Sequence, residues 1–229
     1  MISGAATVDL AARSIRSAHR RGGERPIPHS DDHPDVLLVQ ARAGDQKARG
    51  RLFELYRNYL RLMARSLIAP DLRPRLAASD VVQETFLEAL RDFPHFTGEG
   101  EPEVVAWLRK ILVRNLADLI DHHHAGRRDV RRQQSIEKEL EESSQALHAS
   151  LAASVSSPSA QAIRREEAVL LANALARLPA HYREVFILRN LESVPVAEIA
   201  TRMKRSPNGV RMLWGRAIKK LSQMMDEEP

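Results

Sequence analysis

Two helical domains joined by a flexible linker, all-α throughout, is the fold class this sequence predicts, and three observations carry it. After Asp35, apolar residues recur at helical spacing in one segment after another, and no alternating run of strand type appears. From about 133 to 161 the composition turns to Ser, Ala, Gln and Glu with no stripe of bulky residues, as a linker does. Near the end of the chain, a short helical pattern and a longer one flank a tight basic turn, which is the layout of a helix-turn-helix.

The 229 residues are enough for one large or two small domains, and 43% hydrophobic content is enough for packed cores. A net charge of +5 and a pI near 9.9 favour acidic partners, though clustering decides more than the sum. The absence of cysteine excludes disulfides, thiolate nucleophiles and cysteine-ligated zinc. No apolar run reaches transmembrane length and the N-terminus lacks a secretory core, so the expected location is the cytoplasm, with no membrane insertion.

Residues 1–35 read as an N-terminal extension, its Arg- and Ser-rich stretch LAARSIRSAHRRGGER being a disordered basic tail rather than an organellar transit peptide. Pro26, Pro28 and Pro34 interrupt any helix before Val36. The first domain is expected over 36–132. A short helix runs from Val36 to Arg42 and breaks at Gly44, and Asp45 then caps a long helix to about Ile68 with Leu52, Leu55, Tyr59, Leu62 and Leu67 along one side. Pro70 and Pro74 end it. The segment DVVQETFLEALRDF starts a helix at Ser79 or Asp80 that buries Val82, Phe86, Ala89 and Phe93 and stops before Pro94. After the loop HFTGEGEP, a helix from Glu103 to about His122 carries Val105, Leu108, Leu112, Leu116 and Leu119 at core spacing. The linker occupies 133–161, its N-terminal part admitting a frayed helix. Helical periodicity resumes for the second domain, 162–229.

In that domain Pro195 opens a short helix, VAEIATRM, Lys204 and Arg205 make the turn, and Ser206 with Pro207 caps a second helix, NGVRMLWGRAIKKL. Val210, Trp214, Ala217 and Leu221 form its buried stripe, while Asn208, Arg211, Met212, Gly215, Arg216 and Lys219 lie opposite. From Thr201 to Ser222 there are seven Lys or Arg and no Asp or Glu, a surface suited to a polyphosphate. With the cap and the turn, this points to DNA rather than to an ordinary solvated basic helix.

On the Ser79–Phe93 helix, Asp80, Gln83, Glu84, Leu87 and Arg91 share the face opposite the apolar stripe, which pattern alone reads as a solvated face. His122, His123 and His124 are adjacent rather than at i, i+3 or i+4 spacing, so they propose no metal site. Neither paired carboxylates, nor a Ser-His-Asp set, nor a Gly-rich phosphate loop is recognisable, so no catalytic residue and no cofactor is expected.

Four pieces in register, DVVQETFLEAL, WLRKILVRNLADLI, LARLPAHYREVFILRNLE and SPNGVRMLWGRAIKKL, resemble the RNA polymerase sigma factors of the sigma-70 family, in particular the extracytoplasmic-function (ECF) group. The resemblance spans roughly Val36 to Gln223. It implies an alternative sigma factor that binds core RNA polymerase and directs promoter-specific initiation, with domain 2 at 36–132 and domain 4 at 162–229. Asp80, Gln83, Glu84 and Leu87 would then dock on the clamp helices of the polymerase β′ subunit, and the second domain on the β flap. The loop Phe96–Pro102 would receive a base flipped from the −10 element against Phe96, Thr97 and Trp107, with Phe96 and Trp107 equally readable as core. Arg109, Lys110, Arg114 and Asn115 would face the strand, and Arg127 and Arg128, with Arg131 and Arg132, would add phosphate contacts. Lys204, Arg205, Ser206, Asn208, Gly209, Arg211, Met212, Gly215, Arg216 and Lys219 would read the −35 element as duplex. The acidic tether, with Glu137, Glu139, Glu141 and Glu142, would cross the polymerase between the two domains, and an anti-sigma factor is an implied further partner.

The sequence departs from the family pattern at Asn208-Gly209, where Gly-Thr is frequent, and at Leu213-Trp214, where Arg-Leu is frequent, so no promoter preference carries over. The rival readings are a helix-turn-helix repressor or activator that binds palindromic duplex as a dimer, against which the first domain argues, and a small helical enzyme, against which the missing ligand set argues.

Overall fold

A computed structural model of the chain describes residues 33–123, 130–149 and 158–227. The expected N-terminal extension up to residue 32, His124, Arg127, Arg128 and linker residues 150–157 lie outside the described residues. Among the described residues every regular element is helical. They fall into two units, divided between Glu142 and Ser143.

In the first unit, α1 (Pro34–Arg42) packs on α2 (Gln46–Leu55), whose first turn is capped by Asp45. The Asp45 Oδ1 accepts from the backbone N–H of Lys47 at 2.8 Å and of Ala48 at 3.1 Å, satisfying two donors that the helix itself leaves open. Those donors hold the carboxyl below its ordinary range, Ala48 first and Lys47 second. The long helix expected from Asp45 to Ile68 is in fact two. Tyr56 turns out of line, its N–H bonding Phe53 at i−3, and α3 (Arg57–Leu67) begins after it. The break leaves Tyr56 buried at 1% exposure, so one aromatic anchor explains why two helices replace one continuous pattern.

Helix α4 (Ala78–Asp92) packs on α3 and on α5 (Glu101–His123). The expected stripes are buried: Val82, Phe86, Ala89 and Phe93 from α4 and the turn after it, and Val105, Leu108, Leu112 and Leu116 from α5. Leu119 is half-buried. Thr85 is fully buried on α4 and donates its hydroxyl to the Val81 carbonyl, which is how a polar side chain survives there. Where composition reads as linker from 133, the chain continues as α6 (Val130–Ala149), whose part up to Glu142 belongs to this unit and has Ile136 and Leu140 buried at i, i+4 spacing.

The second unit contains α7 (Pro158–Arg177), α8 (Ala180–Phe186), a π-helical turn at Ile187–Leu191, α9 (Val196–Arg202) and α10 (Pro207–Glu227). Helix α10 packs on α7, α8 and α9 and is the spine of this unit.

Candidate nucleic-acid interfaces

Two surfaces carry the residues singled out above, one in each unit. In the second unit, the bond from Arg205 N to the Ala200 carbonyl (2.9 Å) and that from Lys204 N to the Thr201 carbonyl (3.2 Å) close α9 as a 6→1, 5→2 pair. This closure puts Lys204 at φ +52°, a left-handed conformation that Gly ordinarily takes. Ser206 then caps α10, its Oγ accepting from Gly209 N at 3.0 Å. The turn and cap set the crossing of the two helices.

Val210, Trp214, Ala217 and Leu221 are buried as the spacing predicts, and Leu213 and Ile218 widen the stripe. Asn208, Arg211, Met212, Gly215, Arg216 and Lys219 are exposed, as are Lys204, Arg205 and Ser206, while Gly209 is half-buried. Gly215 is informative. A side chain there would meet nothing within 4 Å, so no contact inside the protein requires a residue that costs about 1 kcal/mol in a helix interior. Close approach of an external backbone is a physical reason for it.

In the first unit the exposed face of α4 consists of Asp80, Gln83, Glu84, Leu87 and Arg91. Leu87 is 55% exposed, an apolar side chain standing among charges. The same unit holds an aromatic cluster. Phe96 and Trp107 have ring centres 4.8 Å apart, and both Phe53 and Phe93 lie within about 6 Å of the cluster. Phe96 and Trp107 are half-buried, intermediate between the core and the open-wall readings, and Thr97 is exposed.

The α5 residues expected to face the strand differ in their surroundings. Lys110 is exposed. Arg109 is paired with Glu141 of α6 at 2.9 Å and its side chain is only 18% exposed. Arg114 bonds Glu88 of α4, a carboxylate that also lies near Arg91. Asn115 does not face a strand: it is buried, its Nδ2 donating to Thr85 Oγ1 at 3.5 Å across the α4–α5 contact. Helical periodicity places Asn115 on the polar side, but the neighbouring helix covers it. Pairing partners far apart in sequence, Glu88 and Glu141, gave no signal in the chain itself.

Sequence reasoning also missed the foot of the loop. Glu101 N donates to Asp35 Oδ1 of α1 at 3.3 Å, and Gly100 N to Glu103 Oε2 at 3.1 Å, so the start of α5 is capped from two sides. Burial first, then the Glu101 and Asp35 carboxylates, push the adjacent Tyr56 phenol well above its ordinary value of 10.0. It stays neutral at any physiological pH. Among the described residues there is no cluster of His, Asp and Glu able to hold a metal ion, and no helix long and apolar enough to cross a membrane.

Comparison with known proteins follows the same division. The family described as sigma-70 region 2 matches residues 52–125, inside the first unit, and that described as sigma-70, region 4 matches residues 168–221, inside the second. Between them they account for more than half of the chain. The ECF RNA polymerase sigma factor BldN of Streptomyces coelicolor is 29% identical over 234 aligned residues, covering 100% of this chain and 80% of that protein.

The chain belongs to the sigma-70 family, in its ECF group.

Its role is that of an alternative sigma factor in transcription initiation. The sigma factor CnrH of Cupriavidus metallidurans is similar too, at 28% identity over 86% of this chain and 97% of that one. The solved RsbN–BldN complex matches with 24% identity over 81% of this chain and 97% of its own, at a TM-score of 0.30. Within this sigma factor, region 2 thus contains α4 and the aromatic loop, and region 4 contains the helix-turn-helix.

Proposed function

We propose that the two units divide promoter recognition between them. The observation that carries this is α10: its apolar stripe is consumed inside the unit while its basic face, with an unexplained glycine at the centre, is left open. A helix so capped and oriented fits the major groove of duplex DNA, here the −35 element, with Arg211 near its N-terminus toward base edges and Arg216 and Lys219 toward phosphates. Lys204 and Arg205 in the turn add phosphate contacts.

The first unit, over about 36–132 with α6 extending it, binds core polymerase. Asp80, Gln83 and Glu84 meet cationic side chains of the β′ clamp helices through charge-assisted hydrogen bonds, and Leu87 supplies the apolar contact at their centre. The second unit rests on the β flap. Loop 96–102 receives a base of the melted −10 strand against Phe96 and Trp107, with Thr97 positioned to read its edge. Lys110 is the phosphate contact from α5; Arg127 and Arg128 would extend it. Arg109 and Arg114, already neutralised by Glu141 and Glu88, contribute to the strand only if those pairs open.

The protein is not an enzyme in this reading, since bond formation belongs to the polymerase, and it works in the cytoplasm, where promoter DNA is. A protein that binds the free sigma factor, an anti-sigma factor, is a further partner, as RsbN is found in complex with BldN.

Gel filtration of the full chain mixed with core RNA polymerase tests the assignment. Co-elution, with specific duplex binding appearing only in the complex, is expected. A dimer that binds palindromic duplex without polymerase would overturn it in favour of a conventional helix-turn-helix regulator.

A further inference from the structure

Helix α1 lies wholly ahead of the region 2 match, which begins at residue 52, yet it grips the loop proposed to read the −10 base. Three contacts converge. The Arg42 Nη2 donates to the Gly98 carbonyl, and the same guanidinium lies 5.9 Å from the centre of the Phe96 ring. Asp35, two turns earlier on α1, accepts from Glu101 N. Gly98 itself has no room for a side chain, because a Cβ there would collide with the Phe96 ring and the Glu103 side chain. The loop is therefore folded tightly on Phe96 and tied down at its middle and at its end by one helix.

We infer that Arg42 is a positioning residue for base reading: it holds the Gly98 carbonyl and the Phe96 ring in one fixed relation, and so keeps Phe96 against Trp107. The guanidinium is suited to this because it donates in its own plane while offering a face to an aromatic ring. A lysine ammonium retains the charge but does not make both contacts with one rigid group. The inference rests on the reading of loop 96–102 as the base pocket. Its specific content is that selectivity at one −10 position depends on a residue that touches no DNA.

The test uses the full chain with core polymerase, transcribing a library of templates randomised through both promoter elements, with the transcripts sequenced. Base preference is a ratio among templates in one tube, so a reduced amount of folded protein does not imitate its loss. Arg42→Ala is expected to flatten the preference at one −10 position by about tenfold, the size of one good base contact, while −35 preferences stay unchanged. Arg42→Lys is expected to leave it flattened, and the salt dependence of initiation is expected not to change, since no phosphate contact is lost.

Phe96→Ala in parallel separates the two ideas. If Phe96→Ala flattens the position and Arg42→Ala does not, the base pocket stands and the role of Arg42 fails. Retention of the preference by both variants refutes the pocket, and the inference with it. Full restoration by Arg42→Lys, or a salt slope shallower by about one, would make Arg42 a simple charge facing DNA and overturn positioning.

Discussion

Trp214 of the recognition helix donates from its indole Nε1 to Asn190 Oδ1 at 2.9 Å, tying α10 to the π-helical turn that precedes the helix-turn-helix. The Arg189 guanidinium lies 5.1 Å from the same ring. The turn at Ile187–Leu191 thus presents two successive side chains to one indole, which fixes the rotation of α10 about its axis. In the proposed function, that rotation decides which side chains of α10 face DNA.

Asn190→Ala leaves a largely buried N–H without its partner, and a cost of about 1–3 kcal/mol to the second unit is expected. The chain has two tryptophans, Trp107 in the first unit and Trp214 in the second, so in a Trp107→Phe background the fluorescence reports Trp214 alone. Urea unfolding in that background should show a lower midpoint for Asn190→Ala. An unchanged midpoint means the bond contributes nothing.

Lys204 occupies a left-handed conformation that costs a side-chain-bearing residue about 1–2 kcal/mol. Lys204→Gly is accordingly expected to stabilise the protein by about 1 kcal/mol while weakening duplex binding for all sequences alike. Opposite signs in thermal unfolding and in DNA affinity mark Lys204 as kept for its charge. Equal DNA affinity in both proteins would remove it from the interface.

Asp80→Arg combined with Glu84→Arg should abolish binding to core polymerase without unfolding the first unit, because both side chains are exposed on α4. Reversal of two charges at a complementary surface costs several kcal/mol. A pull-down with core enzyme, alongside circular dichroism to check helix content, decides the matter; undiminished capture of the double variant takes this helix out of the interface.

Arg211→Ala and Arg216→Ala should weaken −35 binding differently. Arg211 lies in the first turns of α10, where a bidentate base contact discriminates by about 1–3 kcal/mol, so its loss relaxes specificity at one position. Arg216 lies further along and suits phosphate, so its loss should weaken all sequences and make the salt slope shallower by about one. Equal slopes and unaltered base preferences in both variants would show that this face does not read DNA.

The helix-turn-helix was legible in the sequence because its signals are local: the Ser206-Pro207 cap and the 210, 214, 217, 221 stripe lie within one helix and its turn. The α4 face was legible for the same reason. What escaped was set by partners distant in the chain. Periodicity runs unbroken across Tyr56, and only its burial in the packed unit shows why the helix divides there. Arg109 and Arg114 looked free until α6 and α4 supplied Glu141 and Glu88. Asn115 sat on a polar face until α4 covered it. Helix α6 did leave a trace, the Ile136 and Leu140 pair, which its Ser- and Glu-rich surroundings obscured. The grip of Arg42 on Gly98 joins residues 56 apart, and no short motif announces it.

The central claim is that this chain confers promoter choice on a polymerase that lacks it. Sequencing the 5′ ends of transcripts made in vitro from fragmented genomic DNA by core RNA polymerase, with and without the protein, tests it directly. The expected result is a set of start sites that appear only with the protein and share upstream sequence at both the −10 and −35 positions, with the shared −35 sequence relaxed at one position in Arg211→Ala. Transcripts with the same starts whether or not the protein is added would contradict the account.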